Sequence, residues 1–423
     1  MHIRLSSTLP LLILLMLSRR TASQPFAGTD WHREDRIDIP FSFEQNLVLV
    51  EVVLDHFLPL RFILDTGAEH TILAKRQLTD MLGASYEREF RIMGADMQTE
   101  LLAYLVRNVD LTLRGGNAFR EKTMELPNHP MLVLAEDYLR LDEITGIEIH
   151  GILGADVFRH LAVQFNFEKK VVSLLRRTEA FSPPKRFRQV PLEVKRNKPY
   201  LETFLSLQGD TAVPVRLLLD SGAMLSLLLD TETHPSLALP PHLLTGHIGA
   251  GLGGYLSGYL GKIHALQWGQ DTLRSLPTNF QTVPDQPVTM DSSLRFSRHG
   301  IVGNAILQRF HLIIDYPGQT LHYLPNRRFR KQTPYDKSGL VIIATDLNLH
   351  TFSLHAVIPG SPAALAGLQP GDELLRLNGI STSLRSLSNI QHRLSGRHGR
   401  KIRLTVRRNG QRLDFRFRLQ ALP

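Results

Sequence analysis

Cysteine is absent from the 423 residues, which excludes disulfides, thiolate metal ligands, lipid-modified cysteines and thiol nucleophiles. No Gly-x-Ser-x-Gly run occurs, so the commonest serine-nucleophile signature is missing. Histidines such as His70, His150, His160, His234, His247 and His299 are scattered, with no i, i+4 pair on an amphipathic stretch. No metal centre and no cofactor are therefore expected. Tryptophan occurs twice. The longest apolar run, Leu9 to Leu17, is too short for a comfortable membrane span.

That run sits in "MHIRLSSTLPLLILLMLSRRTASQPF", between a basic start at Arg4 and the small residues Thr21-Ala22-Ser23. Residues 1–23 read as a secretory signal peptide cleaved near residue 23. The expected location is periplasmic or extracellular, in a bacterium, because an exported chain without cysteine suits a periplasm. Membrane association would follow only if the leader were retained. The net charge of +9 is unevenly placed. Residues 1–330 hold 35 basic and 35 acidic side chains, and residues 331–423 hold 14 and 5. The excess reads as a solvated basic face on a small C-terminal module. No aromatic–basic interleaving accompanies it, so nucleic acid is not an expected partner.

Two Pro- and Arg-rich stretches, "RRTEAFSPPKRFRQVP" and "PNRRFRKQTPYD", divide the chain into segments 24–178, 186–328 and 334–423. The first two segments repeat one another. "PLRFILDTGA" is echoed by "PVRLLLDSGA", and "GILGADVF" by "GIVGNAIL". Asp65 precedes Gly154 by 89 residues and Asp220 precedes Gly303 by 83, the spacing of a duplication. Short runs rich in Val, Ile, Leu and Phe between turn residues predict a mostly β fold. Within the two copies, helices are expected at "AKRQLTDML", "ADVFRHL" and "NAILQRF".

An Asp directly after three apolar residues is costly to bury unless it is paired or hydrogen-bonded. A lone Asp-[Thr/Ser]-Gly would usually be a surface turn, and chance supplies on the order of 0.2 in a chain of this size. Here there are two, each after an apolar strand, each followed by Ala, and each with an apolar–apolar–Gly partner downstream. The pair resembles the aspartic proteases, and the short lobes with Ala after Gly resemble the retropepsin-like branch. The resemblance covers residues 40 to 325. It implies two pseudo-twofold-related β-barrel lobes around a pepsin-like cleft, with Asp65 and Asp220 sharing one proton and activating water against a peptide carbonyl. Thr66 and Ser221 would cross-link the two loops, and Gly67 and Gly222 would let amides approach the carboxylates. Gly154 and Gly303 would let the neighbouring strand pass. Polypeptides are the implied substrates.

Gly249, Gly251 and Gly254, with Gly253 at an intervening position, match Gly-x-Gly-x-x-Gly, but more glycines follow where a dinucleotide site needs a helix. In the retropepsin resemblance, "HIGAGLGGYLSG" instead takes the place of a flap, with "RIMGADMQ" in the corresponding place of the first copy. The last segment, "VIPGSPAALAGLQPGDELLRLNG", resembles a PDZ domain, an α/β module. That implies a short helix after Ser361-Pro362, a helix around "SLSNIQHRLS", and a peptide-binding role for Ser338, Gly339, Leu340 and Val341. A ligand's C-terminus or an internal strand would add along Leu340 to Ala344. The reading is an exported aspartic endopeptidase with a PDZ domain for docking or regulation. The alternatives are a catalytically inactive peptide-binding scaffold and, with less support, a saccharide hydrolase using paired carboxylates.

Overall fold

The computed structural model describes residues 35–93, 100–117, 120–178, 181–241, 243–251, 254–281 and 298–421. The leader lies outside the described residues, as does Gly253 of the flap motif. Strand content is 50 % and helix content 9 %, with barrel-like sheets.

Apolar strands build two lobes of like design. In the first, Leu47–Leu54 is apolar on both faces except at the exposed Glu51 and pairs antiparallel with Leu58–Leu64, which delivers the chain to Asp65. In the second, Lys198–Ser206 and Val213–Leu219 repeat the arrangement and deliver Asp220. The duplication extends to backbone conformation. Gln45-Asn46 and Arg196-Asn197 both turn the hairpin that enters these strands, all four with positive φ. Two consecutive left-handed residues are the signature of the tight turn whose twist matches the strands. The second lobe closes on itself where Leu205 pairs Leu266.

The two lobes share a sheet. Its order runs Arg36–Pro40, Val171–Arg176 and Leu161–Asn166 from the first lobe, then Phe310–Asp315, Thr320–Pro325 and Arg188–Pro191 from the second. The seam pairs Val163 with Ile314. One buried apolar cluster extends across both lobes, including Phe62, Phe165, Trp268 and Phe310. Trp268 stacks on Phe310 with ring centroids 5.0 Å apart. Tyr323 donates its hydroxyl to the Trp268 carbonyl at 3.0 Å and accepts the Gln270 amide at 2.9 Å.

Helices are few and short: α1 (Arg76–Met81), α2 (Leu141–Thr145), α3 (Asn304–Leu307), α4 (Pro362–Leu365) and α5 (Leu387–Leu394). α1 and α3 lie where the sequence pattern places them, and α4 and α5 where the PDZ resemblance does. The expected helix at "ADVFRHL" is instead a run of turns over residues 155–160. Ala155, Val157 and Phe158 are buried there and a strand starts at Leu161, leaving too little chain to nucleate a helix. α2 has no counterpart in the sequence reading. The PDZ module has its own core, from Leu340 through Phe352, Leu374 and Ile390 to Leu404.

Because the seam and the cluster span both lobes, cutting the connecting linker should not separate them. Cleavage at a site engineered after the exposed Lys185 should leave two fragments that co-elute at the intact size in gel filtration. Separation under native conditions would show that the shared sheet does not hold the lobes together.

Candidate active site

Each Asp stands at the end of a buried strand held from the side by a parallel one. Gly151–Leu153 runs beside Phe62 to Leu64, and the Asp65 amide donates to the Leu153 carbonyl at 3.0 Å. Gly300–Val302 does the same beside Leu217 to Leu219, with the Asp220 amide on the Val302 carbonyl at 3.0 Å. The loop after each Asp is then pinned. Ala155 donates to the Ala68 carbonyl and Asn304 to the Ala223 carbonyl, each at 2.9 Å. The downstream glycines leave room for this crossing. A Cβ on Gly154 would lie 2.4 Å from the His70 carbonyl oxygen, and one on Gly303 would lie 2.4 Å from that of Leu225.

Thr66 and Ser221, both buried, tie the two loops together reciprocally. The Thr66 hydroxyl donates to the Leu219 carbonyl at 2.7 Å and accepts the Ser221 amide at 3.0 Å. The Ser221 hydroxyl donates to the Leu64 carbonyl at 2.7 Å and accepts the Thr66 amide at 3.0 Å. Each bond adds on the order of 1 kcal/mol net, and a buried partner left unpaired costs about 1–3 kcal/mol. The arrangement fixes one carboxylate against the other.

The glycines after these residues face the opposite acid. A Cβ on Gly67 would lie 2.6 Å from Cγ of Asp220, and one on Gly222 would lie 2.4 Å from Cγ of Asp65. Only glycine permits that approach. Gly67 donates its amide to Oδ1 of Asp65 at 2.7 Å, Ala68 to the same oxygen at 3.2 Å, and Gly222 to Oδ1 of Asp220 at 2.8 Å. Burial and the neighbouring Asp220 charge push Asp65 well above the usual carboxylate range. Burial also raises Asp220, against a hydrogen bond from Asp65 that favours its ionised form. Two such carboxyls hold a single proton between them far more readily than they both ionise.

Several neighbours are not evident from the motifs. Asn304, wholly buried, donates to the Ser221 carbonyl at 2.6 Å and to the Asn46 carbonyl at 2.7 Å. Asn46 returns a bond from its side-chain amide to the Met224 carbonyl at 2.9 Å. This staple crosses from the first lobe's hairpin turn to the second lobe's Asp loop. At the position of Asn304 the first lobe has Ala155. Asp156 takes the amide and the hydroxyl of Thr71, each at 2.9 Å, and the Thr71 hydroxyl accepts from Gly154. Burial and Arg298 lower the pKa of Lys198, against the fields of Glu69, Asp65 and Asp220. The buried Tyr316 hydroxyl is driven far up by burial and by both Asp charges.

The flanks of the carboxylate pair differ. After Ala68 comes Glu69, partly exposed and within the field of Lys198. After Ala223 comes Met224, which packs on the apolar cluster of Leu47, Ile63, Ile147 and Ile149. Gly249 and Gly251 lie on the strand Leu244–Gly251, and Gly254 starts the strand Gly254–Trp268 that pairs with it antiparallel. The first lobe has the corresponding hairpin, Tyr86–Met93 with Glu100–Val106, and its tip lies outside the described residues. Ser338 and Gly339 precede the PDZ edge strand, and Leu340 and Val341 begin it.

Comparison with known proteins divides the chain the same way. Residues 50–157 match a family model described as aspartyl protease, and residues 355–408 match one described as PDZ domain. Two curated proteins named as zinc metalloproteases, from Brucella suis biovar 1 and Brucella melitensis biotype 1, are each 42 % identical over 67 residues. That match spans 16 % of this chain and 16 % of either relative. Among solved structures, conglutin gamma, a basic 7S globulin of lupine seeds, aligns with a TM-score of 0.44 and 10 % identity, covering 70 % of this chain and 96 % of its own. Basic 7S globulin from soybean aligns with a TM-score of 0.44 and 7 % identity, covering 71 % and 98 %. The chain carries a retropepsin-like aspartyl-protease domain in its first lobe and a PDZ domain near its C-terminal end.

Proposed function

We propose that the chain is a single-chain aspartic endopeptidase whose two lobes contribute Asp65 and Asp220 to one catalytic pair. The observation that carries this reading is the mutual approach of the two carboxyls, each set against the glycine of the other's loop. One ionised carboxylate would take a proton from a water held between them, and that water would attack the peptide carbonyl. The protonated partner would donate to the carbonyl oxygen, and the pair would return a proton to the leaving amine. Ser221, Thr66 and Asn304 act as positioning residues. The glycine-bearing hairpin around Gly251 and Gly254 closes over the substrate in this reading. Polypeptides are the substrates, and the leader sequence supports an exported location.

The names of the Brucella relatives point to zinc chemistry. No His-Glu-x-x-His occurs in this chain. Among the described residues no three His, Cys, Asp or Glu side chains are grouped to hold a metal ion. The carboxylate pair is therefore the reading we pursue.

Asp65→Asn and Asp220→Asn should each lower kcat on an unstructured protein such as denatured casein by about 10²–10⁴-fold, because either change removes the shared proton. Both variants should remain folded. A carboxyl raised in the folded state binds its proton more tightly there than in the unfolded chain. Its contribution to stability is therefore lost as pH rises from the ordinary carboxylate value through the raised one. At neutral pH the Asn variants should accordingly melt no lower than the parent. Retained turnover in either variant, with the melting curve unchanged, would remove that residue from the catalytic pair.

The pair should be active when singly protonated, so the alkaline limb of kcat/KM should lie above the range of an ordinary carboxyl. Ala68 and Ala223 supply no side-chain hydroxyl to favour the ionised form, in keeping with this. Lys198 favours ionisation of both acids. Lys198→Met should move the alkaline limb to higher pH. An unmoved or acid-shifted limb would show that Lys198 does not act on the pair.

A further inference from the structure

Among the described residues, the PDZ edge strand, Leu340–Ala344, pairs on one side only, with Phe352–Val357. A ligand strand would add to its other side, in the groove towards α5, with its terminal carboxylate on the amides that lead into the edge strand. Both places are filled by the chain itself.

Asp336 fills the first. Its Oδ1 accepts the Ser338 amide at 2.9 Å and the Gly339 amide at 2.7 Å. The Ser338 hydroxyl donates to the same carboxylate, at 2.9 Å to Oδ1 and 3.0 Å to Oδ2, and itself accepts the Leu340 amide at 3.3 Å. Gly339 has φ of 80°, and a Cβ there would strike the Ser361 side chain at 2.1 Å, so this turn requires glycine. Burial pushes the Asp336 carboxyl up to about 6 despite its donors.

The first lobe fills the second place. α2 packs against the edge strand. Gly146, which ends α2 with φ of 67°, approaches α5 so closely that a Cβ would lie 2.7 Å from Cβ of Leu387, the first residue of that helix. Leu387 is wholly buried. The same loop also reaches the second lobe. The Gly339 carbonyl accepts the Ile358 amide at 2.8 Å, and Ile358 lies against Gly246 of the flap hairpin, whose Cβ would be 3.1 Å away. Beside this contact the rings of His247 and His355 lie 5.6 Å apart.

We propose that the PDZ groove is occupied from within, by Asp336 and by the lobe segment 140–146. A peptide with a free C-terminal carboxylate and an apolar last residue enters only by displacing both, and so releases the flap hairpin from its support at Ile358. The inference does not rest on the proteolytic reading, because its readout is binding.

The test uses the full chain carrying Asp65→Asn, so that the probe is not cut. The probe is a fluorescein-labelled octapeptide ending in Leu-Val, supplied with a free carboxylate or as the C-terminal amide. Asp336→Ala should bind the free-carboxylate probe at least tenfold more tightly than the parent, by fluorescence anisotropy, and the amide should bind neither protein. At saturation, hydrogen exchange should rise over residues 141–146 and 244–251 and fall over 338–344. If Asp336→Ala does not fold, Asp336→Asn serves, with a gain of threefold or more expected. Equal affinity for the parent and the Asp336 variant, equal binding of acid and amide, or unchanged exchange over 141–146 would each overturn the proposal. Absence of binding to either protein would overturn it as well.

Discussion

Everything about the candidate site depends on four hydrogen bonds between two hydroxyl residues and the opposite main chain. Thr66 and Ser221 reach past their own loops, and each spends both its donor and its acceptor capacity on the other lobe. Without that exchange two carboxyls of rising charge would separate, since burial and mutual repulsion both oppose their approach. The strands below supply stiffness. Asp65 and Asp220 sit at the ends of strands each clamped by a parallel neighbour, and those strands are anchored in a core continuous between the lobes. Repulsion at the top is thus opposed by packing that starts well below it.

The parts of the site readable from sequence are those whose chemistry lies in consecutive residues. Asp, then a hydroxyl, then glycine is a complete local instruction: an acid, a cross-link and a place for the opposing acid. The downstream glycines were readable for the same reason, since steric exclusion acts on one residue at a time. What could not be read depends on residues far apart in the chain. Asn304 matters because the turn at Asn46 happens to lie beside it, 258 residues away. Lys198 gains its meaning only when its strand is set next to Asp65. Asp156 had a faint signal, an acid directly after the Gly154-Ala155 crossing.

The secondary structure follows the same division. The β character and the duplication were plain from apolar runs and their repetition. The expected helix after Gly154 fails because the strand that starts at Leu161 leaves too short a segment to nucleate one. α2, five residues long, has too little periodicity to show in sequence, yet it is the element that meets the PDZ edge strand. Asp336 gives no signal because it closes a linker rich in basic residues, where an acid reads as solvated. The fold draws it inward to satisfy amides that would otherwise be left without a partner.

Fusing two copies into one chain also releases each from the obligation to match the other. In a symmetric dimer any residue beside one acid must appear beside both, so a staple such as Asn304 to Asn46 would have to fit twice or not at all. Here it occurs once, and Ala155 holds the mirror position. The same freedom sets Glu69 on one side of the pair and Met224 on the other. A polypeptide has a direction, with unlike ends. In the proposed endopeptidase, the charged Glu69 on one side and the apolar Met224 on the other would favour one direction of the substrate chain over the reverse.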